Sequence, residues 1–386
     1  MGFLLSKRNV SHYLADRGIH SSAMQPTDIQ ARPCKNFNLS VHFPQGIEFL
    51  VKQECHDATG KTKGEVGQEW LMHQFLEAFP ELSSLRSILP ETLDFDAEHS
   101  ILVSKFFGGF CDLTDFYETT NTFSPAIAQT LALALATLHR TTFQVTAYRD
   151  FLVQHGGSAL VKPPQFTRGL ERLKPEVFGI LCADALDFYR LYQRAVPLRE
   201  AIAHLSWYPC CLIHQDLKLN NVILQQSWAE SLSNSTVPIS QLQNQLQGQL
   251  RLVDWERFSW GDPAYDLATV LANYLKIWLS SLIVGREVEI NTALQLAGTP
   301  LEMLRPTLVA LVQTYFRCFP EILGVDEGFG DRTLQMTGLC LLQRIQAKLE
   351  YREPFGNAAI CMMQVAQGLL CDTRGARLSV FGVGDF

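Results

Sequence analysis

Alternation and helical spacing divide the chain into a β-rich first part and a helical remainder. Phe37–His42 and Ile47–Lys52 are strand-like runs joined by a turn at Pro44-Gln45-Gly46, which is a hairpin pattern. Ser6–Gly18 reads as a short helix with Val10, Tyr13 and Leu14 on one face and Gly18 as its stop. Glu65–Phe79 brings Val66, Trp70, Leu71, Phe75 and Phe79 round at helical spacing, and Ile101–Phe107 returns to strand character. Residues 1–107 are therefore expected to form a β-rich lobe with one inserted helix.

Beyond Gly108-Gly109 the pattern turns helical, and residues 108–386 are expected to form a second, larger lobe. Ser124-Pro125 supplies an N-cap and a first-turn proline for the apolar stretch Ile127–His139. A further helical region covers about Ala183–Leu205. Cys210–Ile213 and Val222–Leu224 are short buried strands on either side of a polar loop, and Leu250–Asp254 is a third. Helices resume at Asp262-Pro263 and run to about residue 371. Residues 226–249, rich in Gln, Ser and Asn, read as a solvated insertion.

The 386 residues carry 32 Lys plus Arg against 39 Asp plus Glu, a net charge of -7, which excludes a protein built to coat nucleic acid. No apolar run approaches the roughly 18 residues of a membrane span. Only Phe3-Leu4-Leu5 are consecutively apolar at the N-terminus, short of the about 7–15 residues of a secretory segment. Met1-Gly2 with Ser6 formally fits a myristoylation pattern, and a single such chain anchors weakly. The ten cysteines include no Cys-x-x-Cys pair. Cys210-Cys211 are adjacent inside an apolar run, and Cys182, Cys340 and Cys361 sit among core-type residues. A reduced, cytoplasmic chain with no membrane association and no obligate protein partner is the expectation.

The chemistry concentrates in Leu212-Ile213-His214-Gln215-Asp216-Leu217-Lys218-Leu219-Asn220-Asn221-Val222-Ile223-Leu224, a polar loop between two apolar strands. Asp254 ends the next strand, and Gly261-Asp262-Pro263-Ala264-Tyr265-Asp266-Leu267-Ala268 opens a helix. Phosphoryl transfer requires such a set. The transferred group spreads charge over three oxygens, so catalysis is positioning plus neutralisation. One carboxylate must take the proton of the attacking hydroxyl, and another with an amide oxygen must hold Mg²⁺, a hard ion that favours oxygen ligands. Taken singly, Asp216 reads as a turn-capping carboxylate and Asn221 as a turn residue. Asp262 reads as a helix N-cap before Pro263.

His214-Gln215-Asp216 through Asn221, Val253-Asp254-Trp255-Glu256 and Gly261–Ala268 resemble, in order, the three C-lobe motifs of the aminoglycoside phosphotransferase and choline kinase family. The resemblance spans about residues 36–270. It implies a two-lobed, protein-kinase-like α+β fold with ATP and Mg²⁺ as cofactors and a small-molecule hydroxyl as acceptor. It makes Asp216 the general base, Asn221 and Asp254 the metal ligands, His214 a loop-ordering residue and Asp266 a tie between its helix and the loop. Lys218, two residues after the base, reads either as a cation for the moving phosphoryl group or as a solvated loop lysine.

In the first lobe, Lys52 lies among apolar neighbours, where a charge needs a partner. By resemblance it would hold the α/β-phosphates and pair with Glu69, with Glu65 in reserve. Main-chain groups around Lys105, Phe106 and Phe107 would meet adenine, although a plain core strand is an equal reading. No Gly-x-Gly-x-x-Gly precedes Lys52. In its place, Asn36, Asn38 and Ser40 are candidate phosphate donors. The absent glycine-rich loop keeps open a nucleotide- or partner-binding module without turnover. A protein kinase is the third reading, weakened because the Gly-Asp-Pro helix follows Asp254 at once and leaves no room for an activation segment. Trp207, Trp260, Tyr274 and Trp278 are expected in the core, and nothing in 140–205 or 270–371 singles out an acceptor.

Overall fold

The structure is a computed structural model describing residues 3–21, 23–32, 35–156, 160–162, 183–232, 236–238, 248–283, 288–350 and 355–382. Five antiparallel strands, β1 (Asp28–Arg32), β2 (Phe37–His42), β3 (Glu48–Gln53), β4 (Thr92–Asp96) and β5 (Ile101–Lys105), form one sheet in the order β1-β2-β3-β5-β4. The expected hairpin is β2–β3, with Asn38 opposite Lys52 and Ser40 opposite Leu50. Alternation gives the sheet two faces. Leu39, Val41, Val51, Ile101 and Val103 pack with Leu5, Val10, Tyr13 and Leu14, the last three from helix α1 (Val10–Asp16). Lys52, Asn38 and Ser40 consequently project from the opposite face. Sequence patterning did not show β1 and β4. They are the two edges of the sheet, and β1 is almost wholly exposed, so no burial alternation marks it.

Helix α2 (Glu65–Ala78) follows β3 and buries Val66, Leu71, Met72, Phe75 and Leu76. It starts after Gly64, whose φ of 78° suits a residue without Cβ. Its first turn is capped from a distance, because Glu54 accepts from Lys63 N at 2.6 Å and from Val66 N at 3.3 Å.

After residue 107 the chain first adds a short strand, β6 (Phe110–Asp112), and only then helix α3 (Leu113–Thr120). The helical expectation from Gly108 onward is corrected here: β6 pairs with β8 (Val222–Gln225), which pairs with β9 (Leu250–Leu252). Helix α4 (Pro125–Thr142) is apolar nearly all round and is buried through most of its length, with a helix at Leu301–Cys318 packed along it. The helix at Pro263–Ser280 packs on Phe329–Glu350, which packs on Asn357–Cys371. Trp260, Tyr274 and Trp278 are buried as expected, while Trp207 is only half-buried.

Part of the 226–249 stretch is described. Gln226–Ser231 is helical, and Val237 exchanges two hydrogen bonds with the side chain of Gln129. Residues 233–235 and 239–247 lie outside the described residues, as do Met1, Gly2 and Cys182. The eight cysteines among the described residues are free; Cys340 is buried and Cys361 half-buried. No described helix is long and apolar enough to cross a membrane.

β7 (Cys211–Ile213) pairs antiparallel with β10 (Ser259–Gly261) and seats the polar loop beside the Pro263 helix. A Cβ on Gly261 would stand 2.3 Å from Ile213 Cδ1 and 3.0 Å from Trp207 Cζ2. Gly261→Ala is therefore expected to cost about 1–3 kcal/mol through overpacking. Urea denaturation measures it, and a midpoint equal to the parent's would refute this account of the contact.

Candidate active site

The loop after β7 is held by side chains that the surrounding helices supply. Asp266, fully buried on the first turns of the Pro263 helix, accepts from His214 N at 2.6 Å and from Gln215 N at 2.8 Å. The oxygen that takes His214 N, Oδ2, also lies 3.3 Å from His139 Nε2, and His139 Nδ1 lies 2.8 Å from the Tyr315 hydroxyl. His214 Nε2 is 2.9 Å from the carbonyl of Val253, which can only accept, so that nitrogen carries the hydrogen. His214 Nδ1 is then free to receive Asp216 N at 3.4 Å. Asn221 closes the loop by donating from Nδ2 to Asp216 O at 2.8 Å, and its own carbonyl accepts from Val253 N at 2.9 Å. The loop and the Asp254 strand are thereby one hydrogen-bonded unit. Gln215 and Asp254 both have positive φ, 65° and 67°, a conformation that L-residues adopt only when their surroundings enforce it.

Within this frame the Asp216 carboxylate points at two cations. Lys218 Nζ is 2.8 Å from Asp216 Oδ2, and Arg257 Nε is 4.0 Å from the same oxygen. Arg257 escaped the sequence reading because it belongs to none of the three motifs; only the Trp255–Arg257 turn carries it back over the loop.

The second cluster joins the two lobes. Lys52 Nζ bonds Glu69 on α2 and lies 2.8 Å from Asp254 Oδ1, so the strand lysine, its expected helical partner and a carboxylate 202 residues away meet. Burial disfavours the Lys52 ammonium, but Glu69 and Asp254 outweigh it and raise its pKa. Burial likewise acts against ionised Asp254, yet Lys52 holds the carboxyl down at about 2. Glu69 moves the other way. Burial pushes it up to about 7 in spite of Lys52, because one ammonium cannot fully neutralise two buried carboxylates.

Ligand atoms of Glu69, Asp254 and Glu256 lie within 4.8 Å of one another, an all-oxygen set suited to a hard divalent cation. Glu256 is half-buried; the sequence analysis quoted it only as the end of the Val253–Glu256 motif, and its place two residues after Asp254 was the signal available there. Glu65, the reserve partner for Lys52, instead bonds Lys35, which also reaches to 3.6 Å from Glu256.

The other sequence candidates divide. Asn38 and Ser40 share the Lys52 face of the sheet, and Asn38 Oδ1 and Ser40 Oγ are buried with no hydrogen-bond partner among the described residues. They lie on strand β2, not in a loop; Asn36 alone occupies the β1–β2 connection, and it is buried. Lys105 N donates to Glu91 O at 2.8 Å and Phe106 N to Glu48 O at 3.0 Å, so neither N–H is available to adenine. Lys105 also places its ammonium on Glu91 at 2.9 Å, leaving Phe107 as the candidate donor. Asp262 caps its helix through Ala264 N at 3.0 Å, as the sequence predicts.

The chain matches no protein-family model and no curated protein sequence. Among solved structures it is similar to choline kinase LicA from Streptococcus pneumoniae, at 14% identity over 94% of this chain and 98% of that chain, with a TM-score of 0.44. A choline/ethanolamine kinase family protein from Mesorhizobium loti matches at 14% identity over 96% of each chain, with a TM-score of 0.46. The aminoglycoside phosphotransferase APH(2'')-Ib, ADP-bound, matches at 14% identity over 95% of this chain and 98% of that chain, with a TM-score of 0.44. Likeness at this level leaves the chemistry to be read from the site itself.

Proposed function

We propose that this chain transfers the γ-phosphoryl group of ATP to a hydroxyl of a small molecule. The observation that carries the reading is the meeting of Lys52, Glu69 and Asp254 beside the clamped loop that presents Asp216. Asp216 accepts the proton as the acceptor oxygen attacks phosphorus. Lys218 and Arg257 then face the oxygens of the group in flight, where fixed cations offset charge without reorganising. Lys52 takes the α/β-phosphates. The buried Ser40 hydroxyl on the same sheet face can donate to a phosphate oxygen there, and Phe107 stands at the adenine end.

Asp254 and Asn221 would hold Mg²⁺, with Glu256 as a further oxygen donor. Bound there, the ion would neutralise phosphate charge and align the γ-phosphate. Asn221 suits this role because its Nδ2 is spent on Asp216 O, which turns its amide oxygen away from that bond. The reading makes residues 1–107 the nucleotide lobe and 108–386 the lobe that carries the base and receives the acceptor, in a reduced cytoplasmic setting.

A thermal-shift titration with ATP and Mg²⁺ tests the nucleotide site. Ligand at 100 times Kd adds about 2.7 kcal/mol of stability. A metal-dependent rise in Tm is expected, weakened in Asp254→Ala. No shift at millimolar ATP would favour the second reading, a binding module without turnover, which rests on the missing glycine-rich loop. Metal-dependent binding without ATP consumption against any hydroxyl acceptor would favour it as well.

A further inference from the structure

A cavity of about 320 Å³ lies beside α2, within the size range of small-ligand pockets. Lys52, Asp216, Asn221, Asp254 and residues 105–107 do not line it, but Glu69, the partner of Lys52, does, and Arg251 of its wall lies over Phe107, so it adjoins the nucleotide positions proposed above. Its floor is apolar, built by Met72, Leu76, Leu89, Pro90 and Trp255. Arg86 and Arg251 stand at its wall, Arg86 donating from Nη2 to Glu77 at 2.7 Å and to Leu76 O at 3.2 Å.

Arg251 is an unusual cation. Its Nη1 is committed to two carbonyls, Leu89 O at 2.7 Å and Arg86 O at 3.2 Å, and its guanidinium lies 4.2 Å over the Phe107 ring. These contacts fix the group, yet its Nε is buried with no hydrogen-bond partner among the described residues. Burial lowers its pKa, with Glu91 opposing electrostatically while bonded to Lys105 at 2.9 Å. The other wall carboxylate, Glu69, is bonded to Lys52. Burial disfavours the charged form of His73 and lowers its pKa. A desolvated guanidinium with an idle donor favours an anion, and the floor favours hydrocarbon.

We propose that this cavity is a binding site for a small organic acid, its carboxylate on Arg251 and Arg86 and its apolar body against Met72, Leu76, Leu89 and Trp255. Glu69 and Trp255 form part of the lining, so a bound acid packs against the helix that carries the partner of Lys52. The proposal stands on the cavity and not on phosphate transfer, and its test needs no nucleotide.

The probe is 4-fluorobenzoate, titrated against the full chain by fluorine NMR, with 4-fluorobenzyl alcohol and inorganic phosphate as comparison ligands. Saturable binding of the benzoate is expected, with Arg251→Met weakening it about tenfold, the loss of one charge-assisted bond. Arg251→Met also removes the bonds to Leu89 and Arg86, so Leu76→Trp, which fills the cavity and keeps the arginine, is the second variant. It is expected to abolish binding while the circular dichroism stays that of the parent. The proposal is overturned by no saturable benzoate signal, by equal binding of the alcohol, or by equal binding of inorganic phosphate. Benzoate binding unchanged in well-folded Leu76→Trp overturns it too.

Discussion

Asp216→Ala is expected to lower ATP-dependent phosphorylation of the best hydroxyl acceptor by about 10²–10⁴-fold, the contribution of one positioned general base. The melting shift given by ATP and Mg²⁺ should survive, because Asp216 holds neither Lys52 nor Asp254. The loop should survive as well. Its order rests on Asp266, His214 and Asn221, and Asn221 bonds the main-chain oxygen of Asp216, which alanine retains. Loss of rate with retained nucleotide binding would separate a chemical role from a structural one. A rate within a few-fold of the parent would show that Asp216 is not the base.

The largest expected stability loss lies away from the chemistry. Arg332, on the helix at Phe329–Glu350, is buried and reaches Asp262 with Nε at 2.7 Å and Nη2 at 3.3 Å. The same guanidinium bonds Asp326. Asp262 in turn caps the Pro263 helix and accepts from Tyr208 N at 2.9 Å. Arg332→Met leaves two carboxylates without their cation, one of them fully buried. Breaking such a pair from one side costs about 3–5 kcal/mol. The urea midpoint, followed by tryptophan fluorescence, should fall accordingly, and Arg332→Lys should restore only part because it lacks the planar fork. A shift under about 1 kcal/mol would mean that the buried network contributes little beyond what apolar packing would supply.

Residue types at short spacing made the transfer loop legible. Asp216 and Asn221 stand five apart between two apolar strands, and a loop that short keeps its ends together in any compact fold. The Lys52–Glu69 pair was legible for a related reason. A lysine among apolar strand residues must find a charge, and the family resemblance put Glu69 ahead of Glu65 on the following helix. Runs of apolar, strand-forming residues announced β2, β3 and β5, whereas β1 and β4 lie at the edges of the sheet, and β1 is almost wholly exposed, so no apolar run marks it.

The sequence by itself determined the candidate residues for the chemistry and most segments of the core, because both follow from side-chain type and local period. Only the tertiary structure decided how distant charges are shared. It put Asp254 on Lys52 across 202 residues, set Arg257 over Asp216, gave Glu65 to Lys35, spent the Lys105 and Phe106 amides inside the sheet and tied Asp262 to Arg332. It also left Arg251 with an unused donor at the wall of a cavity. Those pairings depend on where whole elements pack, and packing is set by the summed apolar burial of the lobes, which no local pattern of charged residues encodes.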